Sequence, residues 1–180
     1  MTDATERLYR RLLVLRCQTG DGDAFTELVE RYDGRLRYYL RKMLQNTDRL
    51  DDLAQEVWLD VFRSLPRLAE PGAFCSWFYR LARDRSYREF RKRPVPWRPL
   101  EEAELPVTNG EPDDFSAEDA ARVHRALDEL ESEHREALVL RFLEEMSYED
   151  MARVTGCPLG TVRSRLHYAK RALERTNLHE

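Results

Sequence analysis

At 180 residues, 42% hydrophobic and 36% charged, the chain has length for one domain or two small ones, and its composition suits a soluble, helix-favouring protein rather than a disordered one. The formal net charge is −4, so any basic surface has to be concentrated locally. No apolar run is long enough to cross a bilayer, and the start, MTDATERLYRRLLVL, lacks the unbroken apolar region and cleavage site of a secretion signal. A cytoplasmic protein without membrane insertion is expected. The three cysteines, Cys17, Cys75 and Cys157, and the four histidines, His124, His134, His167 and His179, are dispersed. That spacing supports neither a disulfide framework nor a zinc site, and no cofactor is called for.

The first predicted helix runs from Asp21 to about Leu44, with Phe25, Leu28, Val29, Tyr32, Leu36, Leu40 and Met43 as its inward stripe. A second runs from about Leu50 to Leu65. Leu53, Val57, Val61 and Leu65 recur along it beside Ala54, Trp58 and Phe62, and Asp52, Gln55, Glu56, Asp60 and Arg63 lie opposite. Pro66 ends it. After a short loop, Leu68 to Gly72, a third helix is expected from near Ala73, with Phe74, Trp77, Phe78, Tyr79, Tyr87 and Phe90 interleaved among arginines. From Phe78 to Arg93 there are seven cations and two acids, Asp84 and Glu89. Aromatic rings among arginines suit single-stranded nucleic acid, whose bases stack on rings while cations follow the phosphates. Trp77, Phe78 and Leu81 fit equally well as ordinary core, so the helix reads as part core and part nucleic-acid face.

Five prolines, Pro94, Pro96, Pro99, Pro106 and Pro112, then fall between Arg93 and Ser116, with six acids against the single Arg98. Such a segment is extended, solvated and semi-stiff. The fold class expected is therefore all-α: two small helical domains, residues 1–93 and 117–180, joined by a flexible, acidic, proline-rich linker, residues 94–116.

The last domain contains SYEDMARVTGCPLGTVRSRLHYAKRAL, Ser147 to Leu173, which has the signals of a helix-turn-helix. Ser147 can cap the first helix with Asp150 answering it, and Tyr148, Met151 and Ala152 give its apolar side. Gly156 suits the turn, and Pro158 suits a helix start. Leu159, Val162, Leu166, Ala169 and Leu173 recur at helical spacing toward the core. The opposite arc carries Thr161, Ser164, His167, Tyr168, Arg171 and Arg175, with Arg163 and Arg165 on its flanks. From Leu159 to Arg175 five cations face one acid, Glu174. A basic helix after such a turn fits the major groove of DNA, where arginine reads guanine edges and hydroxyls hold phosphates.

With these residues in view, the chain resembles the extracytoplasmic-function group of bacterial RNA polymerase sigma factors from about Asp21 to Leu173. DDLAQEVWLDVFRSL (Asp51 to Leu65) looks like the helix that docks on the polymerase clamp. FCSWFYRLARDRSYREFRKR (Phe74 to Arg93) looks like the part that melts and reads the minus-ten element, and the helix-turn-helix looks like the part that reads the minus-thirty-five element. The resemblance implies a transcription initiation factor that binds core RNA polymerase and promoter DNA. Core contacts then fall to Asp52, Gln55 and Glu56, and minus-ten contacts to Phe74, Trp77, Arg80, Arg83, Asp84, Arg88 and Arg91. Minus-thirty-five contacts fall to Thr161, Arg163, Ser164, Arg165, His167, Tyr168 and Arg171. It also implies a flipped base held by Glu70 to Phe74 and a linker passing through the polymerase cleft, and an anti-sigma partner is common in the family. Two departures stand out: Asp84 replaces the asparagine that commonly follows an Ala-Arg pair, and His167-Tyr168-Ala169-Lys170 replaces a more basic run.

Two other classes stay open on residues alone. A free-standing helix-turn-helix regulator would bind duplex DNA without polymerase, although it has no need of the aromatic and basic helix before Arg93. A two-metal nuclease could use Asp51 and Asp52, but helix neighbours point about 100 degrees apart and no further ligands converge on them. There is no phosphate-binding loop or nucleophile elbow, so the protein is not expected to be an enzyme.

Overall fold

The computed structural model describes residues 3–44, 48–91 and 126–177, and every described element is helical. The chain divides into two compact units, taken here one at a time. The expected linker, residues 94–116, lies outside the described residues.

In the first unit α1 (Asp3–Gln18), α2 (Gly22–Met43), α3 (Leu50–Ser64) and α4 (Phe74–Arg91) pack around one core. Helix α2 starts where Asp21 Oδ1 accepts from the Ala24 amide at 3.0 Å, a side-chain cap that satisfies one of the orphan donors of a first turn. Of its expected inward residues, Leu28, Tyr32, Leu36, Leu40 and Met43 are buried, joined by Ala24 and Tyr39. Phe25 and Val29 are only half-buried. Phe25 instead meets the edges of Trp58 and Phe62 at 6.2 and 5.3 Å between ring centroids.

Helix α3 buries Leu53, Ala54, Val57 and Val61, while Phe62, expected beside the core, is 63% exposed. Pro66 lies in a 3-10 turn, Leu65–Arg67, that closes the helix. Gln18 at the end of α1 donates to the carbonyls of Leu65 and Leu68, at 3.0 and 2.8 Å. These bonds pin the connection that leads into α4.

The core of this unit is aromatic. Phe78 lies 5.7 Å from Tyr32, 5.2 Å from Trp58, 5.4 Å from Phe74 and 5.2 Å from Tyr79. Edge-on and stacked pairs of this kind add to the burial of the rings themselves. Truncating such a central ring to alanine costs about 3–5 kcal/mol.

The second unit comprises helical residues 126–129, α5 (Ser132–Leu138), a π turn (Val139–Leu143), most of α6 (Tyr148–Thr155) and α7 (Leu159–Asn177). Arg135 donates to the carbonyls of Leu127, Asp128 and Leu130 at 2.7–3.0 Å, satisfying acceptors that a helix end leaves open. Helix α5 packs against α7. Val162, Leu166 and Ala169 are buried as expected. The two ends of that stripe depart from expectation: Leu159 is 37% exposed and Leu173 is half-buried.

Candidate nucleic-acid interface

The turn between α6 and α7 is built as its sequence requires. Ser147 Oγ accepts from the Asp150 amide at 3.1 Å and donates to Asp150 Oδ2 at 2.9 Å. Gly156 ends α6 at φ +69°, a left-handed conformation that costs glycine nothing and other residues about 1–2 kcal/mol. The Pro158 carbonyl accepts from the Val162 amide at 3.1 Å, so the proline stands at the threshold of α7 rather than inside it. These caps fix the angle at which α7 leaves the turn.

Along α7, Arg163 and Arg171 are exposed, and Thr161, Ser164 and His167 are half-buried on the same side. Ser164 Oγ is already engaged, donating toward the carbonyls of Gly160 and Thr161 at 3.2 and 3.1 Å.

Arg165 corrects the sequence expectation. Its guanidinium turns inward to Glu133 on α5 at 2.8 Å, with the two side chains only 17% and 27% exposed, and a second nitrogen lies 3.7 Å from Cys157 Sγ. It ties α7 to α5 and to the turn. Tyr168 is half-buried between His134 and His167, at 6.1 and 5.7 Å between ring centroids. Both histidines have a buried Nε2 without a hydrogen-bond partner. Burial pushes His134 toward its neutral form, against the pull of Glu131 and Glu133 and with the help of Arg165.

In the first unit, Arg80, Asp84 and Arg88 are exposed in a row one turn apart on α4, and Trp77 is half-buried at the start of that row. Arg83 is half-buried, its guanidinium 4.2 Å from the centroid of the Tyr87 ring. Phe74 departs from expectation: it is fully buried, 5.2 Å from Tyr32 and stacked 5.4 Å from Phe78, so it supports this face from beneath and presents no ring to solvent. The side chain of Arg91 lies outside the described residues.

In the loop before α4, Glu70 accepts from the Gly72 amide at 3.1 Å, and Pro71 is buried. A Cβ on Gly72 would lie 3.1 Å from that same carboxylate, so glycine gives the turn its room. Of the expected base-holding segment, only Glu70 and Gly72 are well exposed.

On α3, Asp52 and Gln55 are exposed, but Glu56 is shared. Arg85 of α4 bonds Glu56 at 2.9 Å and Asp60 at 2.6 Å, and Arg49 reaches Glu56, Asp52 and Glu89 at 3.6, 3.7 and 3.4 Å. Sequence reasoning missed this network because the contacts that join α3 to α4 pair residues 25 to 40 positions apart along the chain. It also passed over Leu59, which is 51% exposed beside the exposed Phe62. Their spacing of three on a helix was the available signal. No group of side chains able to hold a metal ion occurs among the described residues, and no described helix is long and apolar enough to cross a membrane.

Comparison with known proteins gives these faces a context. Residues 28–94 match the family model "Sigma-70 region 2" and residues 120–173 match "Sigma-70, region 4". The chain is 32% identical over 175 residues to the RNA polymerase sigma-H factor of Pseudomonas aeruginosa, covering 91% of each chain. It is 33% identical over 181 residues to the ECF RNA polymerase sigma-E factor of Haemophilus influenzae and 31% identical over 182 residues to that of Escherichia coli K12, covering 94% of this chain and 95% of each relative. Among solved structures, CnrH in complex with the cytosolic domain of CnrY shares the fold at a TM-score of 0.68 and 21% identity, covering 95% of this chain and 98% of that one. RpoE of Bartonella quintana in complex with the anti-sigma factor NepR does so at 0.67 and 23%, covering 84% and 95%. The chain belongs to the extracytoplasmic-function group of the sigma-70 family, the RNA polymerase sigma factors that act in transcription initiation.

Proposed function

As the premise is a sigma factor of this group, we propose how its faces divide the work. Helix α3 docks on core RNA polymerase through Asp52 and Gln55, with Glu56 joining once it is released from Arg85. The row Trp77, Arg80, Asp84 and Arg88, with Arg83 beside it and Arg91 continuing its spacing, holds the opened minus-ten strand. Arg163 and Arg171, with Thr161 before them and Ser164, His167 and Tyr168 between them, read the minus-thirty-five duplex. The observation that carries this reading is the placement of exposed cations along single faces of α4 and α7 in a chain whose net charge is −4. Positive potential gathered in this way accounts for phosphate binding and for its dependence on salt.

The two domains are 1–93 and 117–180, and the acidic linker of 94–116 keeps them on one polymerase. The protein acts in the cytoplasm and performs no covalent chemistry itself. Regulation by an anti-sigma factor fits the same exposed faces.

Transcription in vitro with core polymerase and a library of promoter fragments tests the proposal. Initiation at a defined subset of fragments, dependent on this chain, is the expected result. Operator-like DNA binding that needs no core enzyme, with no initiation at any fragment, would return the chain to the class of free-standing regulators.

A further inference from the structure

Helix α1 has two apolar faces and uses one. Leu13, Val14 and Cys17 are buried against the rest of the first unit, and Arg10 turns inward toward Tyr32 and Cys75. On the opposite side Leu8, Leu12 and Leu15 are 70%, 53% and 44% exposed. Their spacing of four and then three is the seam of a coiled coil, with Thr5 continuing the register toward the start of the helix. Contiguous exposed apolar surface of this kind on a folded unit marks an interaction site.

The flanks of the seam carry a sign. Arg11 stands on one side and Arg16 on the other, while Glu6 falls on the far side of the helix. Arg16 is held by Asp21 at 2.7 Å. Arg11 reaches Glu70 only at 3.8 Å, with both side chains more than half exposed, a contact that contributes little. We infer that this face of α1 receives an amphipathic helix of a protein partner, with leucine-like residues along its own seam and acidic residues at its edges, one of which takes Arg11.

Two other occupants fit less well. A second copy packed antiparallel about Leu12 would set its Arg11 against this one, and like charges at such positions oppose pairing. A bilayer surface suits a helix with a broad apolar arc, whereas these three leucines span a narrow line. The seam also lies apart from the faces of α3 and α4 assigned above, so it stands whether or not that assignment does.

The test uses the full chain and two synthetic helical peptides of three heptads, both with leucine at the seam positions, one with glutamate and the other with lysine at the flanks. In titration calorimetry the glutamate peptide binds at least tenfold more tightly than the lysine peptide. Leu12→Gln weakens it tenfold or more without lowering the melting temperature, and Arg11→Glu removes the preference. Binding that Leu12→Gln leaves unchanged would place the peptide on another basic face and overturn the inference, as would equal binding of both peptides or of neither. Concentration-dependent dimerisation abolished by Leu12→Gln would hand the seam to a second copy. Leu12-dependent sedimentation with phosphatidylglycerol vesicles would hand it to a membrane, and a large loss of thermal stability in Leu12→Gln would show the leucine covered by the chain itself.

Discussion

Arg163 and Arg165 stand two residues apart on a basic helix, and a sequence motif treats them alike; the structure separates them, so replacing each with alanine makes a sharp test. The ion pair of Arg165 with Glu133 is short, at 2.8 Å, and the side chains are 17% and 27% exposed. Exposed pairs contribute about 0–1 kcal/mol, whereas breaking a fully buried pair costs about 3–5 kcal/mol because a charge is stranded. The present exposure lies between those limits, so Arg165→Ala is expected to destabilise the second unit by about 2 kcal/mol. Since 1.4 kcal/mol is a factor of ten, amides of α5 and α7 should then exchange hydrogen roughly thirtyfold faster. Adding Glu133→Ala to Arg165→Ala should recover part of the loss, because the stranded carboxylate goes with it. The slope of DNA affinity against salt should stay as it was once folding is accounted for. Unchanged exchange in Arg165→Ala, together with a salt slope lower by about one, would put Arg165 on phosphate and refute the reasoning.

Arg163→Ala should do the reverse, leaving exchange rates alone and either lowering the salt slope of minus-thirty-five binding by about one or, if it reads a base, weakening binding by about 1–3 kcal/mol at one promoter position; fluorescence anisotropy over a salt series checks both. Asp84 can accept a hydrogen bond from a base but cannot donate one while ionised, so Asp84→Asn should change the ranking of single-base variants of a minus-ten strand, and an equal effect on every variant would exclude it from base reading. The folded value of His134 lies below its unfolded value of 6.5, so the native state holds the ring neutral. Its contribution is complete above about pH 6.5 and is lost as the pH falls below it, when the unfolded chain takes up the proton first. Protection factors in α5 and α7, taken relative to the intrinsic exchange rate at each pH, should fall between pH 7 and pH 5, and His134→Gln should flatten that dependence.

What could be read from the sequence follows a physical line. Helices α2, α3, α4, α6 and α7 announce themselves through local signals: apolar residues at helical spacing, joined by an aspartate or serine cap in α2 and α6 and by a proline or glycine at the stop of α3 and α6. Helix α1 does not, because Leu8, Leu12, Leu13, Val14 and Leu15 put apolar residues on two faces and erase the contrast from which a period is read. Its buried side belongs to the fold and its exposed side to something else, and a single sequence cannot label which is which. The reading of the recognition helix-turn-helix succeeded at the turn, where Ser147, Asp150 and Gly156 act within one turn of the residues they serve.

At Arg165 and Phe74 the partner that sets the side chain's orientation is remote. Glu133 lies thirty-two positions before Arg165, and Tyr32 lies forty-two before Phe74. Charge and aromaticity are visible in a sequence, but the choice between facing solvent and facing the core is made by tertiary neighbours. The same holds for Glu56, whose carboxylate is shared between Arg85 and Arg49. An acidic residue on a predicted docking helix is thereby already committed within the fold. Under the proposed assignment, a cationic partner that takes Glu56 has to compete with Arg85 and Arg49, and Arg85 would still hold Asp60 at 2.6 Å. The proposed core-binding face of α3 is thus tied to α4, which carries the proposed promoter-strand face, through Arg85 and its two carboxylates, Glu56 and Asp60.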